Sequence, residues 1–255
     1  MRLKGKAAIV TGGGRGIGRA IVLALAKEGA SVVVSARTQS EIEAVALEVQ
    51  NMGQQGLAIA ADSTRIGDVE HLAERTQAEF GRIDILVNNA GGASSELYDI
   101  PDAVGPAVRL PIWEQSEAAW DQTIKTNLKS VFLCVKVVMP YMIDQGYGDV
   151  INIASRMGRL PIGIGLGGYG EAKHAVIALT KNAALQASSH GIRINAVSPG
   201  LTDTPGQRRA MATMMPEDEF PPMDSAESVA AGALYLLCDA PKTMTGHSLD
   251  LFSIG

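Results

Sequence analysis

The chain is poor in cysteine, histidine and aromatic residues: two cysteines, four histidines and 4% Phe, Trp and Tyr among 255 residues. Cys134 and Cys238 each fall inside an apolar helical pattern, so both read as reduced core thiols. Neither a disulfide framework nor a metal site is expected. An excess of positive charge is also missing, since 22 Lys and Arg stand against 27 Asp and Glu, giving a formal charge of −5 and an isoelectric point near 5.4. With no basic field or block, binding to nucleic acid or to an anionic membrane is disfavoured. Long apolar runs are lacking too, because Lys136 and Pro140 interrupt Val131 to Ile143, and Ala7 to Val10 is too short for a signal-peptide core. A cytoplasmic location is the default expectation. No low-complexity linker divides the chain, so a single domain over residues 1–255 is expected.

What is present is alternation. Apolar, β-branched runs recur between amphipathic helical stretches at Ala7 to Val10, Ser31 to Ser35, Gly56 to Ala60, Ile83 to Val87, Val150 to Ala154, Ile192 to Val197 and Ser248 to Leu251. Strands this apolar are covered on both faces, which predicts an α/β fold: a Rossmann-type, doubly wound parallel sheet with helices on each side. Ligands in such folds collect at the carboxyl ends of the strands.

After the first run comes Val10-Thr11-Gly12-Gly13-Gly14-Arg15-Gly16-Ile17-Gly18, which reads as a tight turn into a helix from Ile17 to Ala26. Glycine supplies unusual dihedrals and lets a ligand approach the backbone, and free N–H groups at the helix start suit a pyrophosphate. The usable glycines Gly12, Gly16 and Gly18 do not fit Gly-x-Gly-x-x-Gly, and no P-loop ending follows. By itself the turn need bind nothing. About twenty residues on, Ala36-Arg37 stands where a dinucleotide fold selects its ribose. A cation there, with Arg15, favours a 2′-phosphate and hence NADP(H), although each arginine alone has an ordinary surface explanation.

After the third run, Asp62-Ser63 can accept from an adenine amino group or cap the helix from about Arg65 to Phe80, and the two readings are equally open. Asn88-Asn89-Ala90-Gly91-Gly92 after the fourth run is small and turn-forming. From Gly92 to Trp113 periodicity vanishes, while Leu97, Tyr98, Ile100, Val104, Val108 and Leu110 are too apolar for a free linker. This loop is expected at one rim of the site or against another subunit. Asn127, inside the apolar helical pattern Glu117 to Met142, must use its amide, by bridging backbone groups, by orienting water, or both.

The residues suited to chemistry lie after the fifth run. Tyr169 and Lys173 share a helix face at i, i+4, and an ammonium nearby lowers the pKa of a phenol, which would make Tyr169 a general acid or base. Ser155 at the adjacent strand end can hydrogen-bond the oxygen receiving the proton. A Tyr-x-x-x-Lys pair is common by chance; its order relative to the glycine turn, the Asn and the Ser is not.

Taken together, these segments resemble a classical short-chain dehydrogenase/reductase over nearly the full length. Thr11 to Gly18 matches that family's Thr-Gly-x-x-x-Gly-x-Gly turn, and Asn88-Asn89-Ala90-Gly91 matches Asn-Asn-Ala-Gly. Tyr169 and Lys173 match the catalytic pair, Ser155 and Asn127 fall at the other catalytic positions, and Pro199-Gly200 follows Asn195-Ala196-Val197-Ser198. The resemblance implies that Tyr169 exchanges the proton and that Lys173 tunes it and holds the nicotinamide ribose. It implies further that Ser155 positions the carbonyl, that Asn127 holds a water, and that NADP(H), or alternatively NAD(H), binds. Asp62 is then at the adenine, Asn89 and Ala90 lie along the ribose, Pro199 and Gly200 under the nicotinamide, and Thr204 at the carboxamide. A carbonyl or alcohol substrate and a homo-oligomer, a tetramer in this family, are implied as well; the apolar helices around Leu128 to Met142 and Ala175 to Ala187 are compatible interface faces, and core packing explains them equally. Loss of catalysis in a cofactor-sensing protein is the alternative from another class.

Two departures stand out. The Ser155 to Tyr169 interval is one residue longer than the family's commonest spacing, so the Gly163 to Gly168 loop is expected to bulge, and Phe252-Ser253-Ile254-Gly255 replaces the usual Asp-Gly-Gly. Substrate selection falls to the loop at 92–113, to Arg156 to Leu166 and to Leu201 to Asp224. Met211, Met214, Met215 and Phe220 in the last suit either a mobile lid or a surface loop. Arg156 is a candidate partner for an anionic substrate group.

Overall fold

The computed structural model describes residues 1–92, 111–161, 168–213 and 215–252. The apolar loop residues of 93–110, the glycine-rich 162–167, Met214 and the tail 253–255 lie outside the described residues, as do the expectations placed on them.

Strands form where β-branched and small apolar residues run together: β1 Ala7–Thr11, β2 Ser31–Ala36, β3 Gly56–Ala60, β4 Ile85–Asn88, β5 Gly148–Ile153, β6 Ile192–Pro199 and, after a small parallel ribbon of β7 Thr202–Asp203 with β8 Asp224–Ser225, β9 Ser248–Leu251. The seven long strands make one sheet in the order β3-β2-β1-β4-β5-β6-β9, and every pairing is parallel. Period-two alternation divides their side chains between two cores. Ala8, Val10, Val32, Val34 and Ile151 pack with α1 Gly16–Lys27, α2 Gln39–Asn51 and α8 Ala226–Leu234. Ile9, Val33, Val150 and Ile194 face the opposite way, against α3 Ile66–Phe80, α5 Ser130–Asp144 and α6 Tyr169–Ala187. Cys238 lies with the first core and Cys134 with the second, so the sheet separates them and both are free thiols. Burial pushes the Cys134 thiol up to about 12.

The sheet is doubly wound about β1, with β2 and β3 on one side and β4, β5, β6 and β9 on the other. A crevice therefore opens beyond the carboxyl ends of β1 and β4, where the chain reverses direction across the sheet. At the opposite end buried charges tie the strands together. Asp84 accepts from the Ala7 N–H at 2.9 Å and from Lys6 Nζ at 3.0 Å, and Asp149 pairs with Arg193 at 2.7 Å.

The helix expected from Glu117 to Met142 is continuous, built from α4 Glu117–Ile124, a π-turn over Lys125–Lys129 and α5. At 28 residues, Glu117–Asp144 is by length and composition apolar enough to cross a membrane, which the interrupted run at 131–143 did not foretell. Its Leu133, Cys134, Val138 and Met142 are instead buried against the sheet.

Candidate active site

The glycine turn is stitched to the loop after β4. Thr11 is buried; its Oγ1 donates to the Val87 carbonyl at 3.3 Å and accepts the N–H groups of Asn89 and Ala90, each at 3.1 Å. The Asn89 amide donates to the carbonyls of Thr11 and Gly12, both at 3.0 Å. Its side chain thus fastens two loops to each other. Gly12 (φ +64°) and Gly16 (φ +53°) hold the left-handed backbone that the turn requires. Gly18 is needed for closeness: a Cβ there would lie 2.1 Å from the Gly12 carbonyl oxygen and 2.5 Å from the Asn89 amide. Gly18→Ala is accordingly expected to destabilise the fold by about 2 kcal/mol or more and to weaken dinucleotide binding, checked by denaturant unfolding and a binding titration.

Helix α1 begins behind this turn with Arg15 as N-cap and with no acidic residue in its own first turn. Gly16 faces Thr204, whose methyl would be 3.1 Å from a Cβ at that glycine; Thr204 itself caps α7 Pro205–Ala212 by accepting the Gln207 N–H at 3.1 Å. Ile17 packs partly buried on the first core. This cradle fits a pyrophosphate, with N–H groups at the start of the helix and glycines that admit the ligand. Arg37 and Arg15 are exposed, and Arg15 Nη1 stands 3.4 Å from Glu41 Oε1.

Asp62 does not cap α3. Its Oδ1 accepts the Thr64 N–H at 2.9 Å and the Thr64 hydroxyl at 2.8 Å, while the N-cap position belongs to Arg65 without a side-chain bond. Burial raises the Asp62 carboxyl, but the Thr64 bonds, with Arg37 and Lys125 nearby, outweigh it and leave the pKa below the ordinary value. Ser63 is buried beside the Cys134 thiol, whose pKa it lowers against the effect of burial.

Across the crevice, the Ser155 hydroxyl is close enough to the Tyr169 phenol to lower its pKa against the effect of burial, and Ser155 Oγ accepts the Met157 N–H at 3.2 Å. Lys173 is 3% exposed; its Nζ donates to the Ile153 carbonyl at 2.8 Å and lies 5.6 Å from the centre of the Tyr169 ring. Two close contacts seat α6. A Cβ on Gly158 would come within 2.7 Å of the Lys173 backbone, and one on Gly168, the left-handed N-cap of α6 at φ +82°, within 2.6 Å of the Trp120 ring. Trp120 thereby abuts the residue before Tyr169, a contact that no spacing in the sequence announces.

The electrostatics differ from the expectation in one respect. Burial pushes the Tyr169 phenol up, the Ser155 hydroxyl opposing it, so the phenol keeps its proton at neutral pH instead of being tuned down by the ammonium. Burial also lowers Lys173, to about 8.

Asn127 is fully engaged with backbone. Its Oδ1 accepts the Gly92 N–H at 2.8 Å, and its Nδ2 donates to the carbonyls of Gly92 at 3.2 Å and Thr123 at 3.1 Å. The π-turn that carries it packs against α6, so Asn127 joins the loop after β4 to that helix. Pro199 ends β6 beside Leu251, and the Gly200 N–H donates to the Leu251 carbonyl at 3.1 Å. Arg156 is exposed, with its guanidinium 6.0 Å from the Phe252 ring centre, and Arg159 pairs with Asp250 at 3.0 Å. In the segment 201–224, Arg208 bonds Asp203 at 2.6 Å and Glu217 at 2.6 Å, which braces the excursion between β7 and β8.

A parallel sheet with a glycine-turn cradle at its switch point, facing a Ser, Tyr and Lys constellation, defines an NAD(P)-dependent oxidoreductase of the Rossmann type. The chain belongs to the short-chain dehydrogenase family, whose model, described as short chain dehydrogenase, matches residues 6–214. It is an oxidoreductase acting on CH–OH or C=O groups.

Among its relatives, the 3-oxoacyl-acyl-carrier-protein reductase FabG of Staphylococcus aureus (strain N315) is 36% identical over 96% of this chain and 96% of that one. Levodione reductase superposes with a TM-score of 0.87 at 31% identity, covering 98% of this chain and 96% of the other. NAD+-bound xylitol dehydrogenase does so with a TM-score of 0.85 at 27% identity, covering 98% of each.

Proposed function

We propose that the protein is a carbonyl reductase, single-domain and cytoplasmic, that uses NADPH in preference to NADH on a ketone, aldehyde or 3-oxoacyl substrate. The observation that carries the reading is the buried Lys173 ammonium, held by the Ile153 carbonyl at 2.8 Å with its Nζ 5.6 Å from the centre of the Tyr169 ring, at the end of the strand that Ser155 follows. When bound, NADPH supplies the hydride that reaches the carbonyl carbon. Ser155 would hold the carbonyl oxygen, and Tyr169 would release its proton to that oxygen as negative charge develops there. A phenol pushed up by burial suits this direction, since it carries its proton at neutral pH. Lys173, anchored by the Ile153 carbonyl, would return positive charge to the phenolate and bond the nicotinamide ribose. Asn127 would act by fixing the loop after β4 and, through its π-turn, a water on the way to Lys173. The backbone groups of Gly12, Gly16, Ile17, Gly18 and Ala90 would bind the pyrophosphate and ribose. Asp62 and Ser63 would face the adenine, and Pro199, Gly200 and Thr204 the nicotinamide.

The FabG relative, a 3-oxoacyl reductase, supports an acyl thioester as substrate. Exposed Phe132 on α5 and Leu185 on α6 support a homo-oligomer, a tetramer by family likeness. The pairing of Arg15 with Glu41 favours a second reading, in which NADH serves as well.

The cofactor test is a pair of specificity constants. NADPH should exceed NADH by about tenfold or more on a carbonyl panel, and Arg15→Ala with Arg37→Ala should remove that margin while moving the NADH value less than threefold. Equal constants in the unaltered protein would defeat the NADP assignment.

A further inference from the structure

We infer that Glu41 sets the margin between NADPH and NADH, by holding the Arg15 guanidinium that a 2′-phosphate would need. The inference rests on the reading above, that the ribose end of the dinucleotide lies at Arg15 and Arg37. Glu41 is the acidic residue in the first turn of α2, and its Oε1 stands 3.4 Å from Arg15 Nη1. It is there because residue 14 has no side chain. A Cβ on Gly14 would fall 2.9 Å from the Glu41 Cβ and 3.3 Å from Oε2, so the glycine lets the start of α2 close upon the turn. The Gly13 N–H, donated to the Ser35 carbonyl at 3.0 Å, fixes the turn against the end of β2, and turn, strand end and helix start form one corner.

The pair is not what docks the two helices. Arg19 of α1 pairs separately with Glu48 of α2, and Val45, Ala46 and Val49 carry the apolar contact. Arg15 and Glu41 side chains are 44% and 35% exposed, so their attraction contributes little to folding. Ligand binding is different. A 2′-phosphate brings up to two negative charges to this corner, where it must take Arg15 from Glu41 and then sit beside a carboxylate. A 2′-hydroxyl brings no charge and meets neither cost. Glu41 therefore acts against NADPH alone, and it narrows the NADPH margin that Arg15 and Arg37 set.

The test titrates 2′,5′-ADP and 5′-AMP, which differ only in the 2′-phosphate, into the unaltered protein, Glu41→Gln and Arg15→Ala by calorimetry, with thermal melts confirming that each variant folds. Glu41→Gln is expected to tighten 2′,5′-ADP about five- to twentyfold and 5′-AMP less than twofold, and to raise the NADPH to NADH ratio of kcat/KM in step. The gain should shrink in 0.5 M salt, as about the charge screening there requires. An unchanged 2′,5′-ADP affinity, or equal tightening of both ligands, would overturn the role of Glu41. Failure of the underlying reading has a separate signature: the unaltered protein would then bind the two ligands alike, and Arg15→Ala would move neither.

Discussion

Tyr169→Phe should lower turnover by about a thousandfold or more while leaving NADPH affinity within about threefold, because the exchange removes a single oxygen and the proton it carries. The ring remains, so α6 keeps its seat against Trp120 and Gly158, and Lys173 keeps its bond to the Ile153 carbonyl. Ser155 loses a hydroxyl neighbour but retains the Met157 N–H. Steady-state rates paired with a fluorescence titration of NADPH check both halves. Retained turnover would remove Tyr169 from the mechanism; lost binding would show that the hydroxyl serves the cofactor and not the proton.

Lys173→Met should abolish most turnover, by about a hundredfold or more, and yet stabilise the fold at neutral pH. The ammonium is 3% exposed and has a backbone carbonyl as its hydrogen-bond partner, and burial lowers its pKa from 10.5 to about 8. A base with a depressed pKa binds its proton less readily when folded than when unfolded. Its penalty is thus fully present below pH 8 and fades as pH rises from about 8 towards 10.5. Replacement by Met is expected to add about 1 to 3 kcal/mol at pH 7, with the difference closing by pH 10.5. Urea unfolding at both pH values measures this. A variant less stable than the parent at pH 7 would mean that the hydrogen bond to Ile153 outweighs the burial cost. In the parent, kcat/KM for reduction should fall as pH rises through about 8, when the buried ammonium loses its charge.

A group that reduces stability in order to remain charged is a mark of function, and this one was visible in the sequence only as half of a spacing pattern. The strands were legible because period-two alternation is local: Ala8 and Val10 go to one core and Ile9 to the other, as their pattern demands. The glycine turn was legible because its left-handed positions admit few other residues. What escaped depends on contacts distant in the chain. Trp120 meets Gly168 across the site, and Glu41 meets Arg15 because Gly14 leaves room. Asp62 turned to Thr64 and left α3 uncapped by its side chain. The direction of the Tyr169 shift is likewise tertiary. Spacing announced the ammonium, whereas the burial that raises the phenol, against the opposing Ser155 hydroxyl, is set by the fold.

Asn127 shows the same division. Its type and its apolar surroundings predicted that the amide must be used. The users, the backbone of Gly92 and of Thr123 across a π-turn, were set by the fold.

The central claim is a hydride and a proton delivered to one carbonyl, and a single-turnover reaction with NADPH deuterated at the transferring C4 position tests it most directly. With a 3-oxoacyl thioester as acceptor, the account predicts one alcohol formed per NADPH consumed, with deuterium on the carbinol carbon. NADPH that binds tightly and stays unoxidised before ketones, aldehydes and 3-oxoacyl thioesters alike would contradict it and identify the protein as a cofactor-binding member that has lost its chemistry.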